Sequence, residues 1–166
     1  MVFAQRKIFA LLAVVLALTF SVMLSVVLAN PTPDPNAVFP VETLSLKTSA
    51  GEFSFSVEIA DEDAERQHGL MFREAMLPTH GMLFEFSEPQ HIYMWMENTP
   101  LPLDMIFIRP DGTVSSIAAN TVPMSRRIIA SREMVSHVLE LNAGMALQIG
   151  LKSGDKVSHR FFGKSN

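Results

Sequence analysis

The 166-residue chain contains no cysteine. That excludes disulfides, thiol nucleophiles and thiolate metal sites. A chain of this length can bury enough apolar surface to fold without such staples. Its five histidines include no pair spaced as two ligands on one helix turn, so no metal is expected. There is no Gly-x-Ser-x-Gly, so a strand–turn–helix nucleophile has no support. Gly163-Lys164-Ser165 looks like the end of a phosphate loop but lacks the earlier glycine and a following helix. None of these patterns calls for a cofactor. Large polar aromatics are scarce too. The single tryptophan and the single tyrosine both fall within His91–Ile108.

What is present begins with a long apolar run. Arg6 and Lys7 precede Ile8–Ala29, which carries no charge. Val27-Leu28-Ala29 places small or modest residues where a signal peptidase reads. Residues 1–29 are therefore expected to be a signal peptide, or an uncleaved anchor, because the run is long enough to span a bilayer. Either way the basic start favours the inner side. The rest is expected outside the cytoplasm, periplasmic or otherwise extracytoplasmic, touching the membrane only through residues 8–29 if they stay attached. Residues 30–40, opening with Asn30-Pro-Thr-Pro-Asp-Pro-Asn36, read as a stiff proline-rich linker. Residues 41–163 read as one folded domain. Two of the 13 Lys+Arg lie in the leader and all 17 Asp+Glu lie beyond it, so the exported part has a formal net charge of −6. That argues against a nucleic-acid partner, which would call for a basic face.

The pattern within the domain is that of strands. Val41–Thr48 and Glu52–Ala60 read as a hairpin around Ser49-Ala50-Gly51. In the second strand Phe53, Phe55, Val57 and Ile59 share one face. Asp61–Gly69 reads as a short helix with Asp61 as N-cap, acidic residues at its positive end, Arg66 and His68 at its negative end, and Gly69 as its stop. Further strands are expected over Met82–Phe86, Ile92–Met96, Leu103–Ile108, Thr113–Ala118, Val135–Leu141 and Val157–Phe162. Asn142–Gly150 fits a second short helix. The links are too short for repeated parallel crossovers. The expected fold is mainly antiparallel β, a β-rich α+β class: a compact barrel-like single domain with two short helices.

The candidate chemistry is concentrated around two strands. His91, Met94 and Met96 invite a Cu(I) reading, since thioethers suit that ion. Strand alternation separates them, placing Met94 and Met96 with Ile92, and Trp95 with His91 and Tyr93. Asp104 shares a face with Ile106 and Ile108, while Leu103, Met105 and Phe107 take the other. A carboxylate in that company needs a partner if buried. Arg73 is the side chain expected to clamp it. Asn98-Thr99-Pro100-Leu101-Pro102 reads as a stiff turn whose polar groups satisfy backbone, or which presents Asn98 and Thr99 to a small molecule. Trp95 reads as core, or as the apolar wall of that site. A carboxylate pair, Asp104 with Glu85 or Glu140, would suit acid–base or glycosidic chemistry.

Several pieces occur in a telling order. They are Gly69-Leu-Met-Phe-Arg73, Gly81-Met-Leu-Phe-Glu-Phe86, Trp95-Met-Glu-Asn-Thr99 and Pro102-Leu-Asp-Met-Ile-Phe107, then Asp111-Gly112, Val138-Leu-Glu-Leu141 and Gly154-Asp155. Together they resemble the DUF192 (UPF0127) family over nearly the whole domain, from about Thr43 to Phe161. The resemblance implies a bacterial or archaeal protein, often carrying a signal peptide, with no established biochemical activity. The chain departs from the family in having Glu97 where lysine is usual. The leading expectation is a non-catalytic module that binds a small molecule or an envelope component. Its candidate residues are Arg73, Trp95, Asn98, Thr99 and Asp104. The alternatives are a cysteine-free hydrolase acting on an envelope polymer and a Cu(I)-binding protein using Met and His.

Overall fold

The structure is a computed structural model that describes residues 38–162. The expected export segment, the linker up to residue 37, and residues 163–166 lie outside the described residues. The folded chain already includes Phe39, which is buried, and Pro40, whose carbonyl accepts from the Ile59 N–H at 2.9 Å.

Strands β1 (Val41–Thr48) and β2 (Gly51–Ala60) form the expected hairpin, with Val41 opposite Glu58 and Thr48 opposite Gly51. Leu44, Leu46, Phe55, Val57 and Ile59 turn inward from it, as strand alternation requires. Helix α1 (Asp63–His68) starts later than the sequence pattern predicts. Glu62, not Asp61, sits at the N-cap. The Glu65 carboxylate accepts from the backbone N–H of both Asp61 and Glu62 at 3.1 Å. Gly69 then turns the chain with φ of 51°, against the ring of Phe84.

That turn leads to β3 (His80–Gln90), which pairs parallel with β2. A parallel pair needs a crossover, and α1 with its flanks supplies it. The other pairings of the main sheet are antiparallel and involve β5 (Leu103–Ile108), β6 (Val114–Ala118), β8 (Val135–Asn142) and β9 (Lys156–Ser158). The strand expected over Ile92–Met96 contracts to β4 (Tyr93–Met94). It pairs with β7 (Ile129–Ala130) as a separate ribbon. Met96 has left that ladder, its N–H donating to the Ser125 carbonyl. The last strand is also shorter than expected, because the chain turns at His159.

The main sheet runs β6-β5-β8-β3-β2-β1-β9. It curls into a half-barrel. Thr113 bridges Lys156, so its two outermost strands meet at one end. The expected β-rich, barrel-like domain with two short helices is what forms. Inside lie Leu44, Leu46, Val57, Ile59, Leu83, Ile106 and Leu139, capped by helix α2 (Met145–Gln148). Each such side chain contributes roughly 1.5–3 kcal/mol by leaving water. The outer faces of β3, β5 and β8 are also covered. Met82, Phe84, Met105, Phe107 and Val138 pack there under Leu70, Ile92, Met96 and Leu101. Strands β5 and β8 are thus buried on both faces. Gly81 lets β3 and β8 lie close, since a Cβ there would meet the Glu140 carbonyl at 2.5 Å.

Candidate functional site

A cleft of about 250 Å³ opens on the outer face of the half-barrel. Its floor is Glu140 on β8, opposite Met82 of β3 and Met105 of β5. Its walls come from α1 (Asp63, Arg66, His68), from Phe84 and Phe86 of β3, and from Tyr93, Met94 and Trp95. Alternation along Ile92–Met96 explains why Tyr93 and Trp95 are among the walls. Ile92 and Met96 are buried, whereas Tyr93 and Trp95 stay 62% and 45% exposed. Trp95 is therefore a wall residue rather than core.

Glu140 is 4% exposed, and no hydrogen bond reaches its carboxyl among the described residues. Burial alone pushes that carboxyl up to about 8, because a low-dielectric site disfavours the charged form. Arg66 cannot relieve it. Its guanidinium bonds Asp63 and the Asp61 and Glu85 carbonyls, and lies over the Phe86 ring at 5.5 Å. Three non-glycine residues with left-handed backbone surround the Glu97–Thr99 turn beside this cleft: Phe72, Asn98 and Met124, with φ of 64°, 53° and 59°. The Phe72 N–H donates to the Asn98 carbonyl at 2.7 Å and the Met124 N–H to the Thr99 carbonyl at 3.1 Å. Such backbone concentrates at functional sites.

Of the five candidate residues, Trp95 and Thr99 line this cleft and Asn98 adjoins it. The Thr99 hydroxyl donates to the Glu97 carbonyl at 3.1 Å, and the Asn98 amide approaches the Met71 sulfur at 3.9 Å. Arg73 and Asp104 are elsewhere, and they do not meet. Asp104 is fully buried on the inner face, where its carboxylate accepts from the backbone N–H of Asn120 at 2.8 Å and of Ala146 at 2.9 Å. It caps α2 from a distance. Arg73 grips Glu58 with both terminal nitrogens. A double-mutant cycle over Arg73→Met and Glu58→Gln should give a coupling of about 1 kcal/mol or less, the scale of a partly exposed ion pair. Arg73→Met and Asp104→Asn should instead add within ~0.5 kcal/mol. Strong coupling between Arg73 and Asp104 in urea unfolding would overturn this assignment.

The expected carboxylate pairs do not form either. Asp104 stands opposite Leu141, one residue out of step with Glu140, so the two carboxyls take opposite faces. Met94 is half-buried and Met96 buried, the latter's sulfur accepting from the Thr121 hydroxyl at 3.2 Å. His91 is exposed. Glu97, at the position where lysine is usual, pairs with Arg126 at 2.7 Å on the rim.

A second cluster of titratable groups sits at the mouth of the half-barrel. His137 is buried against Phe161 and Phe162, with Ser136 Oγ at 2.8 Å from its Nδ1. Burial, helped by His159, pushes the His137 ring down to about 4. His159 lies 3.1 Å from Glu42, which also takes Arg160. The phenylalanines pack this cluster shut.

Tyr93, Arg66 and Phe84 were not among the candidate site residues, and Glu140 entered only as a partner for Asp104 in a carboxylate pair. A signal existed for Glu140. It stands within Val138-Leu-Glu-Leu141 as Asp104 stands within Leu103–Ile108, a lone carboxylate in an apolar strand. Which of the two opens on a cleft depends on tertiary cover.

The described residues thus form a small β half-barrel with an aromatic-walled cleft on the outer face of its sheet. The family DUF192, described as "Uncharacterized ACR", matches residues 45–159. The chain belongs to the DUF192 family. No curated protein matches it. Solved structures are similar too, among them the following two. A candidate transcription regulator from Sinorhizobium meliloti 1021 is 44% identical, with TM-score 0.74, covering 76% of this chain and 99% of its own. A protein of unknown function from Novosphingobium aromaticivorans DSM 12444 is 36% identical, with TM-score 0.73, covering 79% and 94%.

Proposed function

We propose that the domain is a non-catalytic module that binds a small molecule, free or as part of an envelope component, in the cleft over Glu140. One observation carries this reading. A nearly buried carboxyl without a partner faces a cleft walled by exposed aromatic rings. A buried polar group left unpaired costs stability, so a ligand that pairs with it recovers that cost. An apolar cleft with a few convergent polar groups is the usual form of such a site. The hydrolase alternative lacks a second free carboxylate in the cleft, because Asp63 is held by Arg66. The copper alternative lacks convergence of His91, Met94 and Met96. The regulator described for one relative would need phosphate contacts, and the exported part's net charge of −6 opposes them.

Trp95 is the only tryptophan of the chain, so its emission reports on the cleft. A metabolite screen on the full chain should find compounds that shift that emission and raise the melting temperature. At about 100 times its Kd a ligand adds about 2.7 kcal/mol. Chemical turnover of a bound compound, lost in Glu140→Gln, would move the protein to the hydrolases. A screen in which nothing moves either signal would sink the reading.

A further inference from the structure

Glu140 shares the cleft with Asp63, Arg66 and His68 of α1 and with Tyr93 of β4, and Met82 of β3 and Met105 of β5 stand opposite it in the sheet. The Arg66 charge is already spent on Asp63, on two backbone carbonyls and on the Phe86 ring. An anion entering the cleft would therefore find no free guanidinium to pair with. A neutral molecule would gain one hydrogen bond to Glu140 and nothing from charge. A cation gains more, because aromatic faces attract it and a carboxylate beside it completes a charge-assisted hydrogen bond. We propose that the cleft takes an organic ammonium ion, its apolar part against Tyr93, Trp95 and Phe84 and its N–H group on the Glu140 carboxylate. This rests on the reading of the cleft as a small-molecule site and assigns the chemical class of its ligand.

The assignment has a proton consequence. Burial holds the empty-cleft carboxyl at about 8, so near pH 7 it is mostly protonated. An ammonium ion that pairs with the carboxylate displaces that proton to solvent. A neutral ligand leaves it in place.

The test is titration calorimetry on the full chain at pH 7, repeated in buffers of different ionisation heat, with Trp95 emission followed in parallel. The probes are phenethylammonium, 2-phenylethanol and 3-phenylpropionate, which differ chiefly in charge. The ammonium compound should bind about tenfold or more tighter than the alcohol and release about 0.9 proton per site. Glu140→Gln should lose both the preference and the proton release while still binding the alcohol. Should that variant fold poorly, the proton count on the unaltered chain decides alone. Equal or tighter binding of the alcohol or the propionate, or ammonium binding without proton release, overturns the ammonium assignment and leaves the cleft a binding site. Silence from all three probes overturns the ammonium assignment, and silence in the wider metabolite screen overturns the binding site as well.

Discussion

Glu140→Gln will raise the melting temperature at pH 8 and leave it almost unchanged at pH 4. The ordinary value for a glutamate is 4.5, and burial takes Glu140 to about 8. Below 4.5 the carboxyl is protonated in both the folded and the unfolded chain, so it contributes nothing to pH dependence. Between 4.5 and 8 the unfolded chain ionises while the folded chain keeps its proton. The unfolded state then binds fewer protons, and stability falls as pH rises. Above 8 the penalty is complete. At ~1.4 kcal/mol per pH unit the span amounts to on the order of 5 kcal/mol. Glutamine keeps the shape and cannot ionise, so it escapes the penalty. Its advantage should grow across that window to several degrees or more. His137 acts in the opposite sense, its ring held at about 4 in the fold against an ordinary 6.5. Its contribution is full above 6.5 and is lost as pH falls to 4. The parent protein should therefore be most stable between about 4.5 and 6.5, where the two slopes oppose. A Gln variant with the same margin at pH 5 and pH 8 would show that Glu140 is not held neutral.

Asp104→Ala should cost about 2–4 kcal/mol in urea unfolding, because it leaves the buried Ala146 N–H unsatisfied at ~1–3 kcal/mol, removes the acceptor of the part-buried Asn120 N–H and opens a small void. The donors are the backbone amides of Asn120 and Ala146. Losing them frees the loop after β6 and the first turn of α2 together. Asp104→Asn is the sharper variant. Its single carbonyl oxygen can accept from one amide, while its NH2 faces the other donor. It should therefore recover less than half of the loss despite its matching size. A midpoint unchanged in either variant would contradict the buried double acceptor.

The fold was largely legible because its strongest signals are periodic. The alternation through Phe53–Ile59 predicts β2 and its inward face, and the apolar runs at Leu103–Ile108 and Val135–Leu141 predict the two central strands. Local signals were less reliable at ends. Asp61 looks like a helix cap, yet the reach of Glu65 back to two amides moves the cap to Glu62. The parallel β2–β3 pair has no local mark at all, because α1 and its flanks are too short a helical pattern to announce a crossover.

The site was only half legible. Trp95 and Thr99 were named as candidates, but the sequence left Trp95 open between core and wall and Thr99 open between a turn residue and a ligand contact. The Arg73–Asp104 clamp could not have been tested by pattern, because the sequence carries no information on which face of the half-barrel each carboxylate meets. Asp104 found backbone donors inside and Glu140 found a cleft outside.

The meeting of Thr113 with Lys156 also bears on how the protein behaves when crowded with its own kind. A sheet edge with idle amides is a template for a neighbouring chain. Here the two edges occupy one another: the Val114 N–H donates to the Asp155 carbonyl and the Val157 N–H to the Gly112 carbonyl. The Ser153 hydroxyl takes the Ser115 carbonyl next along. Breaking that seam would free both edges at once. Self-association, before any loss of the core, would be the first symptom.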